Sequence, residues 1–273
     1  MTLRAVLEEG VRRLVLGGVD VPRLTAEVLL TNLLGRERSY LFAHDLDDCA
    51  VSGEFFALVA RRAAGEPTQR ITGEQEFYGR RFGLTLDVLI PRPESEHVVE
   101  RALAVAGEAS RIVDVGTGSG AIGVTLALEL RRRVLVTDLS LPALAVAFGN
   151  ATALGARCDF VLGDALAMVA TKSVDLIVSN PPYIALAERE SLALEVREHD
   201  PAVALFGGES GLDVYARILA EAPRVLRTGG WLVLELGWQS ADGVRTLAGS
   251  GWRDVEIGQD LAGRDRVFSA RLA

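Results

Sequence analysis

The sequence predicts an α/β protein: a mostly parallel seven-stranded sheet with helices on both faces, preceded by a small N-terminal helical bundle and a β-hairpin. Three observations carry this. Residues 1 to about 70 show helical periodicity and no strand pattern, a short alternating stretch follows, and from residue 111 apolar runs alternate with helical segments. Such alternation implies parallel pairing, because joining two parallel strands takes a crossover of helix length.

In the first part, Leu3, Val6, Leu7, Val11 and Leu14 make one apolar stripe. Leu24, Val28, Leu29 and Leu33 make a second, with Pro22 in its first turn, where a missing N–H costs little. Phe55, Leu58, Val59 and Ala63 make a third, after Ser52 as the expected N-cap. Such a bundle is more often a docking module than a catalytic one. The segment from Glu76 to Leu86 then switches to alternation around Gly79 and reads as a hairpin. Two prolines stiffen Leu89-Ile90-Pro91-Arg92-Pro93-Glu94-Ser95-Glu96, which leads into a helix carrying Val98, Val99, Ala102 and Leu103. The expected division is therefore residues 1–73 as bundle, 74–90 as hairpin linker and 91–273 as the α/β body.

The body opens with a strand over Arg111–Val115, a glycine-rich turn and a helix through Leu130. Strands are expected over Arg133–Asp138, Cys158–Leu162, Val174–Ser179 and Gly230–Leu236, with two more around Val255 and Val267. Composition narrows the function classes. The 273 residues carry a formal charge of −8, unlike a generic binder of phosphate backbones. Two cysteines, Cys49 and Cys158, and three histidines, His44, His97 and His199, show no metal-ligand spacing, so no metal is expected. Neither a signal peptide nor a membrane span is expected, and the assigned setting is the cytoplasm.

Gly116-Thr117-Gly118-Ser119-Gly120 lies where the first strand of the body meets its helix. Glycine lets backbone approach a ligand closely, and the helix N-terminus aims N–H groups at the same place. The spacing differs from the dinucleotide pattern, and Asp114 just before it suits an electropositive ligand better than a pyrophosphate. Asp138 ends the second strand, where a carboxylate can take both hydroxyls of a ribose. Asp164, after the third, is placed to meet an adenine amino group. A cationic nucleoside without phosphates, S-adenosylmethionine, fits this set. The fourth strand stops abruptly in Asn180-Pro181-Pro182-Tyr183. Two prolines in succession forbid a helix or a paired strand. The expected result is a rigid corner of carbonyl acceptors and the Asn180 amide, walled by the Tyr183 ring and suited to a planar group bearing N–H. If the first and fourth strands are neighbours, this corner and the glycine loop open on one crevice.

The glycine loop, Asp138 and Asn180-Pro181-Pro182-Tyr183 together resemble a class I methyltransferase of Rossmann-like fold acting on a planar nitrogen. Three further stretches narrow the likeness: Pro67 to Gly79, Leu89 to Glu96, and Glu195-Val-Arg-Glu-His-Asp-Pro201 leading to Gly211-Leu-Asp-Val-Tyr215. These resemble the bacterial release-factor glutamine N5-methyltransferases. The resemblance implies S-adenosylmethionine as methyl donor, class-1 peptide chain release factors as protein substrate, and the glutamine of their Gly-Gly-Gln loop as acceptor. It places Gly116 to Gly120, Asp138 and Asn180 at cofactor-contacting positions, and Asn180 to Tyr183 at the glutamine pocket, with the bundle helping to hold the partner. A monomer that binds neither membrane nor nucleic acid is expected. Two departures stand out: Ala165-Leu166 follows Asp164 where some relatives have an aromatic residue, and Ser95 stands where threonine is frequent. The alternative is a methyltransferase acting on an adenine or guanine amino group in nucleic acid, which would call for a basic groove and a base-reading domain.

Overall fold

A computed structural model describes residues 1–273. The chain divides into two compact units, Met1–Glu74 with Ala193–His199, and Gln75–Leu192 with Asp200–Ala273.

The first unit contains helices α1 (Leu3–Leu16), α2 (Pro22–Leu34), α3 (Arg38–Ala43), α4 (Ser52–Ala63) and α5 (Thr68–Thr72), joined by a later short helix over Leu194–His199. The apolar stripes meet in one core containing Val6, Leu14, Leu29, Leu30, Phe55 and Val59. Gly10 permits the closest approach, since a Cβ there would lie 2.6 Å from the Phe55 ring. Three stripes became five helices because α3 and α5 are too short to show a period. Ser52 is the first helical residue rather than the N-cap, which is Val51 and makes no side-chain capping bond. Arg62 pairs with Glu195 at 2.7 Å, attaching the later helix to α4.

In the second unit, the hairpin β1 (Glu74–Phe77) and β2 (Arg80–Gly83) turns through Tyr78 and Gly79, both at positive φ, as a tight two-residue turn demands. Its Phe77 and Phe82 rings meet edge-on at 6.0 Å inside a core shared with Val98, Val99 and Ile122. The hairpin is thus packed into the body. Next come α6 (Glu96–Ala106), β3 (Ile112–Val115), α7 (Ala121–Leu130), β4 (Val134–Asp138), α8 (Leu141–Leu154), β5 (Cys158–Leu162) and β6 (Val174–Ser179). After α9 (Leu194–His199, the helix of the first unit) follow α10 (Ala202–Leu205), α11 (Asp213–Val225), β7 (Leu226–Glu235), α12 (Ala241–Ala248), β8 (Trp252–Gln259) and β9 (Asp265–Leu272).

The seven-stranded sheet runs β5-β4-β3-β6-β7-β9-β8, parallel except at β9, which pairs antiparallel with both β7 and β8. Its two faces bury separate cores, because side chains alternate along each strand. Val113, Val115 and Ile177 join α11 and α12 on one face, while Ile112, Leu176 and Val178 join α6 and α7 on the other. Strand β7 begins at Leu226, earlier than its apolar run, across an irregularity between the pairs Val174↔Leu226 and Leu176↔Trp231. No helix is long and apolar enough to cross a membrane.

Candidate active site

The sheet order reverses between β3 and β6, so a crevice opens beyond their carboxyl ends. Val115 pairs with Ser179, and Gly116 and Asn180 therefore leave adjacent strands side by side. The Ser179 hydroxyl donates to the Val115 carbonyl at 2.6 Å and ties the two exits together. The first and fourth strands of the body are neighbours, and the glycine loop and the Asn180 corner share a cavity of about 250 Å³. Leu89, Pro91 and Arg92 form one side of it.

Gly116, Gly118 and Gly120 all have positive φ, which explains the residue type at each. A Cβ on Gly116 or Gly118 would meet nothing within 4 Å, since both face open space, whereas one on Gly120 would press on Val124 and Ala147. The loop is held from behind. The Gly116 and Thr117 N–H groups donate to the Thr137 carbonyl at 2.9 Å each. Asn150 on α8 donates to the Ser119 carbonyl at 2.8 Å while bonding both backbone groups of Gly83. Thr117 lines the cavity, yet its hydroxyl donates inward to Asp114 at 2.6 Å.

Asp114 is 1% exposed; one oxygen takes Thr117 and the Gly123 N–H, and the other is buried without a hydrogen bond. Burial is the main force pushing its pKa up, to about 6, with Asp138 adding to the rise. Asp138 accepts the Gly118 N–H on one oxygen and the Ser140 N–H on the other, both at 2.9 Å. Each oxygen keeps a lone pair for a further donor. Asp164 reaches the cavity from an exposed position, with both oxygens 2.9 Å from Arg217. Leu166 is fully buried and takes no part in the cavity wall. Leu139, 59% exposed beside Asp138, supplies an apolar lining surface.

The acceptor corner is more constrained than proline chemistry alone implied. Asn180, Pro181 and Pro182 line the cavity and lie beyond the end of β6, outside any ladder. Tyr183 does not line it: its ring packs on the core and on Gly237, where a Cβ would come within 2.5 Å of the ring. Burying the ring there removes more apolar surface from water than standing it in the crevice. Burial pushes its phenol pKa well up, so the group stays neutral. A strap over residues 205–211 clamps the same backbone. Ile184 donates to Leu205 and Gly207 to Ile184, at 3.0 and 2.9 Å. Gly207 and Gly211 sit so close that a Cβ would lie 2.5 Å from the Pro182 carbonyl oxygen and 2.4 Å from that of Tyr183. Sequence reasoning missed the partners of Asn180. Its Nδ2 donates to the Ser95 hydroxyl at 3.0 Å, and Ser95 donates to buried Glu235 at 2.5 Å.

The geometry agrees with what the chain is similar to. Residues 5–73 match the PrmC N-terminal domain, and residues 96–198 match the methyltransferase small domain. A release factor glutamine methyltransferase of Moorella thermoacetica is 45% identical, with 99% of this chain and 98% of that one covered. Another of that name, from Koribacter versatilis, is 39% identical with 99% of each covered. The chain belongs to the release factor glutamine methyltransferase family. Solved structures extend the fold more widely. A methyltransferase from Pyrococcus furiosus aligns with a TM-score of 0.52 at 17% identity, over 71% of this chain and 89% of that one. The hMettl16 catalytic domain aligns at 0.56 and 20% identity, over 79% of this chain and 81% of that one.

Proposed function

We propose that this protein transfers a methyl group from S-adenosylmethionine to the side-chain amide nitrogen of the glutamine in the Gly-Gly-Gln motif of class-1 release factors. The observation that carries the reading is the pairing of Val115 with Ser179, which sets the glycine loop beside the Asn180 corner. The residues present suit the donor. Gly116 and Gly118 leave room for close backbone approach, and Asp138 retains acceptor capacity for ribose hydroxyls. Bound there, the sulfonium supplies an electrophilic methyl group.

The chain's own residues do the rest. A carboxamide nitrogen is a poor nucleophile, because its lone pair is delocalised into the carbonyl. The Asn180 side-chain oxygen and the Pro181 carbonyl accept its two N–H bonds and hold the nitrogen toward the donor. Orientation of two bound reactants supplies roughly 7–11 kcal/mol. The same dipoles stabilise positive charge as it develops on nitrogen. No general base is required, since the alkylated amide sheds its proton afterwards to water. Tyr183 acts from behind, wedging the corner against Gly237 rather than touching the acceptor. In this reading residues 1–73 dock the release factor, 74–90 form the hairpin and 91–273 carry the chemistry.

The test is transfer of labelled methyl to a purified release factor, a Gly-Gly-Ala version of it, and duplex DNA or ribosomal RNA. Label is expected only in the factor that keeps its glutamine; label confined to nucleic acid overturns the reading. Asn180→Ala should cut turnover at least roughly 100-fold, the scale for losing one pre-aligned dipole, with donor affinity largely kept.

A further inference from the structure

We infer that Glu235 is a positioning residue which, acting through Ser95, fixes which end of the Asn180 amide faces the cavity; the inference rests on the function proposed above. Glu235 ends β7, the strand beside β6, and is 2% exposed. A carboxylate can only accept, so the single hydroxyl hydrogen of Ser95 is committed to it, at 2.5 Å. What remains on the Ser95 oxygen is acceptor capacity alone. The Asn180 group 3.0 Å away must therefore be its NH₂ end. The carbonyl end is left for the cavity that Asn180 lines. That is the end an amide N–H of a substrate needs.

A neutral Glu235 undoes this. Its carboxyl proton can be donated to Ser95, the Ser95 hydrogen is then free to seek an acceptor, and the Asn180 amide gains by turning over. Its NH₂ would then oppose the substrate NH₂, donor against donor. The surroundings keep the decision close to neutral pH. Burial is the largest influence and raises the Glu235 pKa to about 7. Glu94 raises it further, while the Ser95 hydrogen bond, Arg266 and Arg92 lower it. The Tyr183 and Tyr215 phenols, both neutral, also face it, and the Tyr215 hydroxyl donates to the Glu235 backbone carbonyl at 2.8 Å. Arg92 and Arg266 are themselves engaged by Asp200 and Asp260, at 2.5 and 2.8 Å.

The experiment uses the full chain with a purified release factor, following kcat and KM from pH 6 to 9, with donor affinity by calorimetry. The parental kcat should fall on the acid side with a single limb near pH 7. Ser95→Ala should lose roughly 100-fold in kcat, with donor affinity and thermal midpoint little changed, whereas Ser95→Thr, which keeps the hydroxyl, should stay within about threefold of the parent. Glu235→Gln should be slow and should lack the limb. Ser95→Ala turning over within threefold of the parent, or an acid limb that survives Glu235→Gln, overturns the inference. Failure of the parent itself to methylate a release factor would instead sink the reading on which it rests.

Discussion

Two glutamates, one in each unit, are hidden almost equally, 1% exposed at Glu27 and 2% at Glu235, and are held in opposite ways. Glu27 lies on α2 between two arginines, with Arg23 and Arg38 each 2.6 Å from it. Burial works to raise its pKa, but the hydrogen bonds and charges of Arg23 and Arg38 outweigh that and hold it below the ordinary value. Glu235 has a serine as its hydrogen-bonding partner, and there burial wins. The first arrangement fixes one charge state over the whole physiological range. The second places the change of state where it alters the direction of a hydrogen-bonded chain. Burial alone does not tell a structural carboxylate from a working one; the partner does.

The most drastic way to break the comparison is to make Glu27 resemble Glu235 by removing both arginines. Arg23→Ala with Arg38→Ala strands a buried charge and should cost about 3–5 kcal/mol of stability in urea unfolding. The next effect is set by pH, with opposite signs at the two sites. The contribution of Glu27 is present above its ordinary value of 4.5 and is lost as pH falls through its lowered value. That of Glu235 is complete below 4.5 and is lost as pH rises through about 7, on the order of 3 kcal/mol in all. Glu235→Gln should therefore gain on the parent in unfolding free energy as pH rises from 4.5 to 8, while the deficit of Glu27→Gln relative to the parent should shrink as pH falls below 4.5. Asp138 sharpens the contrast as a third kind of carboxylate, half-exposed and held by two backbone N–H groups. Asp138→Ala should weaken S-adenosylmethionine binding by about 1.5–3 kcal/mol in calorimetry, with thermal stability changed less.

What the sequence made legible was local chemistry. The glycines of 116–120 and the Pro181-Pro182 corner are specified by backbone torsions, and these are written in the residues that adopt them. The mostly parallel sheet followed from alternation, but the adjacency of Asn180 to Gly116 was conditional on the first and fourth strands being neighbours, which the pairing of β3 with β6 supplies. Contacts between distant residues were not legible. Ser95 meets Glu235 and Asn150 meets Gly83 across long stretches of chain, and neither pairing leaves a periodic trace. Tyr183 was read as a wall because an aromatic beside a polar corner commonly is one. Only the position of Gly237 shows that the ring has a more apolar place to go. Of the strap on the corner only Gly211 lies in the motifs that carry the resemblance, and the need for glycine at 207 and 211 arises from backbone close in space and distant in sequence.

The hydrogen bonding of β3 to β6 has a consequence for how such an enzyme can change. Neighbouring strands stand about 4.8 Å apart, and no side-chain substitution alters that spacing. On the proposed function, the loop that holds the donor and the corner that holds the acceptor are rooted in two rungs of one ladder, so the gap the methyl group would cross is dictated by peptide geometry. New acceptors can be admitted by reshaping the rim around the crevice, while the crossing distance itself is inherited unchanged.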